Sequence, residues 1–206
     1  REVLKAMGPG MAQYKYRIQV SPDNCVGCGL CVSECPGKKD LATGEVKKAL
    51  SMEDVKGEMD QSPVADYYYG KVPYRTPMNT NTVKGASFLK PYFEVSGSCA
   101  GCGETPYYRL ISQLFGRDLL IGNATGCSSI YCGSTPSTPF VKDENGQGPA
   151  WANSLFEDNA EYAYGMRVAT DIKLAEICTI IKDNIDSCEP EVQELLNKYV
   201  ASLSDK

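Results

Sequence analysis

Apolar positions along the chain change period several times. Tyr16, Ile18 and Val20 alternate with polar neighbours, the two-residue repeat of a short strand. Leu110, Ile111, Leu114 and Phe115 recur at helical spacing, with Thr105 as the expected N-cap, Pro106 at the first helical position and a stop at Gly116. The apolar start of Phe93-Glu-Val-Ser reads as a strand ahead of that helix, and Asp118-Leu-Leu-Ile121 as a buried strand behind it. Phe156, Ala160, Ala163, Val168, Ile172, Ala175 and Ile181 predict one long helix, opened by Ser154 and Glu157 at capping-box spacing. A further amphipathic helix is expected after Pro190, with Val192, Leu195, Leu196 and Tyr199 on one face.

These elements divide the chain into three parts. Residues 1–48 hold a cysteine-rich module, and residues 93–206 read as an α/β unit. Between them, residues 49–92 lack cysteine and spread Pro63, Pro73, Pro77 and Pro91 among Asn, Thr and Tyr, as an extended connector would. Tyr67, Tyr68, Tyr69 and Tyr74 of that connector are costly to leave in water and are expected to pack against neighbouring domains. In the third part, Gly97–Glu104 and Asn123–Ser129 are small-residue turns at predicted strand ends. If those strands are parallel and adjacent, both turns face one crevice, where α/β sheets bind ligands.

Composition narrows the chemistry. The 206 residues are 42% apolar and carry ten cysteines but no histidine. Imidazole ligands and Ser-His or Cys-His catalysis are therefore excluded. No apolar stretch reaches the roughly 18 residues of a membrane helix, and Arg1-Glu-Val-Leu lacks the layout of a signal peptide. Reduced thiols in the cytoplasm or an anaerobic organelle are expected, rather than secreted disulfides. A net charge of -5 argues against a nucleic-acid partner.

The run Cys25-Val-Gly-Cys28-Gly-Leu-Cys31-Val-Ser-Glu-Cys35-Pro36 has the spacing that grips a [4Fe-4S] cluster. Gly27 and Gly29 permit positive φ, turning backbone N–H groups toward inorganic sulfide, and Pro36 stops helix continuation. In two-cluster ferredoxins the fourth cysteine serves the other cluster, and no second motif of this kind occurs in the 206 residues. The chain is thus expected to start inside a domain. A structural zinc site and a disulfide framework are the competing readings. Cys99, Cys102 and Cys127 form a second constellation, three thiolates that could meet at the top of a sheet around another cluster; thioredoxin-type redox chemistry and ordinary buried cysteines are the competing readings. Glu104 has three open readings: a first-turn carboxylate on the helix dipole, a solvated surface group, or a cofactor contact. Cys132, Cys178 and Cys188 fall outside both patterns, and Cys178 reads as a small core residue of the long helix.

Four motifs carry a resemblance: Ser96-Gly-Ser-Cys-Ala-Gly-Cys-Gly-Glu-Thr-Pro-Tyr107, Asn123-Ala-Thr-Gly-Cys-Ser-Ser-Ile130, Gly133-Ser-Thr-Pro-Ser137 and Gly148–Glu161. The sequence resembles pyruvate:ferredoxin (flavodoxin) oxidoreductase from near Cys25 to about Lys182. The resemblance implies an α+β ferredoxin-like half-module followed by α/β, the start of a thiamine-diphosphate-binding fold with a parallel sheet and flanking helices. It further implies oxidative decarboxylation of pyruvate with coenzyme A to acetyl-CoA and carbon dioxide, in anaerobic metabolism, with electrons passing to ferredoxin or flavodoxin. By the family pattern, Cys99, Cys102 and Cys127 ligate a cluster near thiamine, while Cys25, Cys28, Cys31 and Cys35 serve two more distal clusters. Gly101, Gly103, Glu104, Thr125, Gly126 and Ser128 border those ligands and are candidate thiamine diphosphate contacts. The family's fourth proximal cysteine and its Mg2+ ligands lie outside this chain. The resemblance accordingly implies further domains of the same enzyme, a homodimer of the full enzyme and no activity for these residues alone. A stand-alone iron-sulfur electron carrier is the alternative.

Overall fold

The computed structural model describes residues 3–133 and 137–204. In chain order the elements are β1 (Leu4–Lys5), β2 (Lys15–Tyr16), α1 (Leu30–Glu34), β3 (Lys38–Lys39), β4 (Val46–Lys47), α2 (Val55–Glu58), α3 (Ser62–Lys71) and α4 (Val83–Ala86). They continue as α5 (Thr105–Phe115), β5 (Leu120–Ala124), α6 (Cys127–Gly133), β6 (Ala150–Ser154), α7 (Asn159–Asn184) and α8 (Pro190–Ser204). The chain divides into two compact units, one comprising Arg1–Leu120 and Cys127–Ala150, the other Ile121–Gly126 and Trp151–Lys206.

The first unit is held by a small aromatic core. Phe93 is 2% exposed and stacks on Tyr108 at 5.5 Å between ring centroids, with Phe140 at 5.4 Å and Tyr131 at 6.4 Å edge-on. Such pairs contribute beyond their buried area. Phe93 and Phe140 also meet as an antiparallel bridge, extended by Glu94 N to Pro139 O at 2.9 Å and Val141 N to Tyr92 O at 3.1 Å. The strand expected at Phe93–Ser96 is therefore this single bridge, because its partner is an irregular return of the chain rather than a regular strand. Gln113 ties α5 to the end of α4, donating to Leu89 O at 2.9 Å and Ser87 O at 3.3 Å.

Several expected elements shift. The alternation at Tyr16–Val20 yields only β2, paired antiparallel with β1. Thr105 does not cap α5: Glu104 is the N-cap residue, and the Thr105 hydroxyl donates to Cys102 O at 3.4 Å. Pro106 and the Gly116 stop stand where the pattern puts them, Gly116 at φ 52°. The strand expected from Asp118 begins at Leu120, after a 3-10 turn at Gly116–Asp118. Residues 49–92 are not extended throughout, since α2, α3 and α4 fall there. Asp54 and Thr82 cap α2 and α4 through their side chains. Two of the connector's tyrosines make contacts within the chain itself, Tyr69 OH donating to Gln19 O at 2.8 Å and the Arg17 guanidinium lying 5.6 Å from the Tyr68 ring centre, while Tyr67 stays exposed. Tyr68, Tyr69 and Tyr74 wall a cavity of about 930 Å3 that Cys25 also borders.

β5 and β6 form a two-stranded parallel sheet, the connection being long enough for a crossover. The two small-residue turns consequently do not end adjacent strands of one sheet, since only the second follows a regular strand. In the second unit, a Cβ on Gly122 would lie 2.9 Å from the Ala163 Cβ, so α7 runs tight against β5. Ser154 closes β6 rather than opening the helix; α7 starts at Asn159, whose amide donates to the Ser154 hydroxyl at 3.2 Å. No residue of α7 is buried, and Cys178 is half-buried, so the core role expected for it is corrected. Among the described residues no helix is long and apolar enough to cross a membrane.

Phe93→Ala removes the centre of the aromatic core and should cost about 3–5 kcal/mol of stability. Chemical denaturation of the two proteins checks this, and a loss under about 1 kcal/mol would contradict the assignment of Phe93 as the core of its unit.

Candidate functional site

Cys25 and Cys28 are free thiols exposed on a loop that runs into α1, Cys31 is exposed in the first turn of that helix, and Cys35 is half-buried at its C-cap. Gly27 and Gly29 hold φ of 68° and 72°, the left-handed region that a Cβ disfavours. No heavy atom comes within 4 Å of a Cβ built on either, so that side of the loop is open. The backbone turn is thus as the motif requires, with thiols and N–H groups free to face a cluster.

Cys35 is set apart by its surroundings. Backbone N–H groups of Ala49 and Gly37 bond its sulfur and hold the thiol's pKa below its ordinary value, with Leu50 N–H and the Lys48 charge adding to the effect. A thiolate is the form that ligates iron. Lys48 also closes α1, donating to Val32 O at 2.6 Å and Ser33 O at 3.1 Å, where a cation complements the helix dipole. The β3–β4 hairpin and the residues after it therefore wrap the last cysteine of the motif. Nothing in the spacing of the cysteines signals this contribution.

The second constellation begins with a tight turn, Cys102 N donating to Cys99 O at 3.0 Å. Gly101 in this turn has φ 72°, and a Cβ there would lie 3.2 Å from Leu30 Cδ1. Leu30 sits between Cys28 and Cys31. The two thiol-bearing loops therefore touch, side chain on backbone, a contact that sequence spacing does not announce. Cys127 opens α6, and α6 packs on α5 through Tyr108 and Tyr131 at 5.9 Å. Among the described residues no three His, Cys, Asp or Glu groups come close enough to hold a single metal ion. A four-iron cube spreads its thiolates wider than one ion does.

Of the candidate thiamine contacts, Gly101, Gly103, Glu104 and Ser128 belong to the first unit and Thr125 and Gly126 to the second. Glu104 is exposed at the N-cap of α5 and its charge is felt by two buried groups: burial first, then this carboxylate, raise the pKa of the Tyr131 hydroxyl, and the same two causes push the Cys132 thiol up to about 12. Tyr131 is 4% exposed and its hydroxyl makes no hydrogen bond within 3.5 Å among the described residues. Ser128 is hydrogen-bonded to Tyr108. Thr125 donates to Ser154 O at 2.9 Å and accepts from Asn153 at 3.3 Å. Gly103 and Gly126 have open space where a Cβ would stand. Residues 134–136 of the Gly133–Ser137 motif lie outside the described residues.

The thiol loops place the chain among iron-sulfur proteins, and a model of the 4Fe-4S binding domain matches residues 18–38. Over most of its length the chain is a relative of the pyruvate:ferredoxin and pyruvate-flavodoxin oxidoreductases. It is 49% identical over 164 residues to a pyruvate-flavodoxin oxidoreductase of Klebsiella pneumoniae, covering 80% of this chain and 13% of that protein. It is 46% identical over 184 residues to the pyruvate:ferredoxin oxidoreductase of Moorella thermoacetica, covering 88% and 15%. A pyruvate dehydrogenase (NADP(+)) of Cryptosporidium parvum is 42% identical over 200 residues, covering 97% and 10%. The chain thus spans 10–15% of the length of these three relatives.

Cys132 should resist alkylation at pH 8 in the folded protein, because its thiol is protonated well past that pH. Its unfolded value is 9.0 and its folded value about 12, so the stability it contributes is whole below pH 9.0 and is lost as pH rises toward 12. Mass spectrometry after iodoacetamide treatment checks this: Cys132 labelled as fast as the exposed Cys99 would contradict the buried assignment.

Proposed function

We propose that this chain is the part of a pyruvate-oxidising, ferredoxin- or flavodoxin-reducing enzyme in which electrons leave the site of carbon chemistry and enter a chain of [4Fe-4S] clusters. Bound clusters supply one-electron redox steps. Cys25, Cys28, Cys31 and Cys35 would hold iron on one side of the Leu30–Gly101 contact, and Cys99, Cys102 and Cys127 on the other. That contact is the observation that supports the reading: it seats the Cys25–Cys31 loop against the Cys99–Cys102 turn, and electron tunnelling weakens steeply with separation. The N–H bonds to the Cys35 sulfur would stabilise its thiolate and tune the cluster it serves.

The thiamine diphosphate part of the reading rests on similarity to the longer relatives. Bound thiamine diphosphate would supply the carbanion chemistry on pyruvate. For this chain, the open space beside Gly103 would admit the close approach of an anionic cofactor. Glu104, exposed at the N-cap of α5, would act on Tyr131 and Cys132 through its charge. Mg2+ ligands, pyruvate, CoA and a dimer partner would involve residues beyond these.

Anaerobically reconstituted full-length protein is expected to show a broad absorption band near roughly 400 nm that bleaches on reduction. Its fully reduced form should give electron paramagnetic resonance signals broadened by spin coupling between neighbouring clusters. Zinc without iron in native material, or two uncoupled signals, would sink this reading. Pyruvate-dependent dye reduction is expected from the full-length protein and not from residues 1–206 alone.

A further inference from the structure

We propose that the β3–β4 hairpin is the docking surface for an acidic protein electron carrier, an inference that rests on the electron-transfer reading above and names its exit point.

Charge along the chain is uneven. Residues 1–48 contain eight Lys and Arg against five Asp and Glu, while the whole chain carries -5. Four of those cations, Lys38, Lys39, Lys47 and Lys48, fall on or beside the hairpin. Lys48 has a structural role, capping α1. The other three do not: all are exposed, and none forms an ion pair among the described residues.

Their register makes the cost plain. Lys38 stands directly across from Lys47 in the antiparallel ladder, and like charges directly opposite destabilise a strand pair. The nearby carboxylates do not relieve it. Asp40 is engaged at the hairpin turn, accepting from Ala42 and Thr43 N–H at 2.8 and 3.3 Å. Glu45 belongs to the same turn, and Glu34 ends α1 on the other side of Cys35. A repulsive cross-strand pair with no compensation in its own fold is explained by a partner that supplies the negative charge.

Position selects the class of partner. Gly37, one residue before β3, and Ala49, two residues after β4, both bond the Cys35 sulfur. The lysines therefore flank a cysteine proposed to hold iron, and Val26 and Leu30 of the same loop are exposed apolar groups at 62% and 51%. A cationic rim around an apolar patch fits transient docking of a carrier with a negatively charged face, where charge sets encounter rate more than affinity. On docking, one electron leaves the reduced cluster and is gained by the carrier's oxidised centre, with a proton from water where that centre is a flavin.

The test compares full-length holoprotein with a Lys38→Glu, Lys39→Glu, Lys47→Glu variant, reading stopped-flow reduction of an acidic flavodoxin and of a small neutral dye across ionic strength. The variant should lose at least about 10-fold in flavodoxin rate at low salt and most of its salt dependence, with the dye rate within about twofold. Lys47→Glu alone should slow flavodoxin reduction yet raise the melting temperature, because it turns the Lys38–Lys47 repulsion into attraction. That opposition of signs is not expected of a structural residue. Unchanged flavodoxin rate and salt slope in the variants would overturn the proposal, as would wild-type binding of anionic vesicles or an oligonucleotide in preference to flavodoxin. A wild-type protein that reduces neither flavodoxin nor dye would instead refute the electron-transfer reading, and binding of oxidised flavodoxin by titration calorimetry would still decide the docking claim.

Discussion

The first unit depends on Phe93. Its ring is the meeting point of the Phe93–Phe140 bridge, α5 through Tyr108 and α6 through Tyr131. Because α5 follows the Cys99–Cys102 turn and α6 begins at Cys127, the aromatic core sets where those thiols can be. Close packing makes this rigid, since rings in contact on several sides have no room to slide. The same core buries Cys132 at 1% exposure beneath Glu104, which explains why one of the ten cysteines is chemically withdrawn while most lie at or near the surface.

Around that core, thiol-bearing segments are fixed by a few backbone contacts rather than by regular sheet. A Cβ on Gly101 would crowd the tip of Leu30 at 3.2 Å, and its φ of 72° is the stronger reason for glycine there. Lys48 and the N–H groups of Gly37 and Ala49 hold Cys35 from the other side. Strands in this unit are two residues long, so sheet hydrogen bonding contributes little to it. Its order comes from turns, caps and one aromatic cluster, a construction common where metal clusters normally add the remaining cohesion.

The second unit shows the opposite balance. Long helices α7 and α8 carry Ile172, Ile177, Ile180 and Leu195 exposed, while α7 comes close to β5 at Gly122 and Ala163. The polar net of Asn123, Thr125, Asn153 and Ser154 satisfies the strand ends of β5 and β6. A helix with no buried residue derives little stability from burial, so its regularity reflects backbone bonding and favourable residues along its length.

Much of this was readable from residue order. The cysteine spacing, the glycines of the first loop, the stop of α5 at Gly116 and the existence of α7 and α8 depend on local backbone preference and on periodicity, which neighbouring residues determine among themselves. The tertiary structure alone decided that Phe93–Ser96 would be a bridge, that Ser154 would end a strand instead of capping a helix, and that helices would form within residues 49–92. It alone brought Leu30 onto Gly101, set Glu104 beside Tyr131 and wrapped Cys35 with Gly37 and Ala49. Those outcomes depend on partners many residues away, and a side chain's partner across such a distance is chosen by packing and desolvation of the whole unit, which no local pattern encodes.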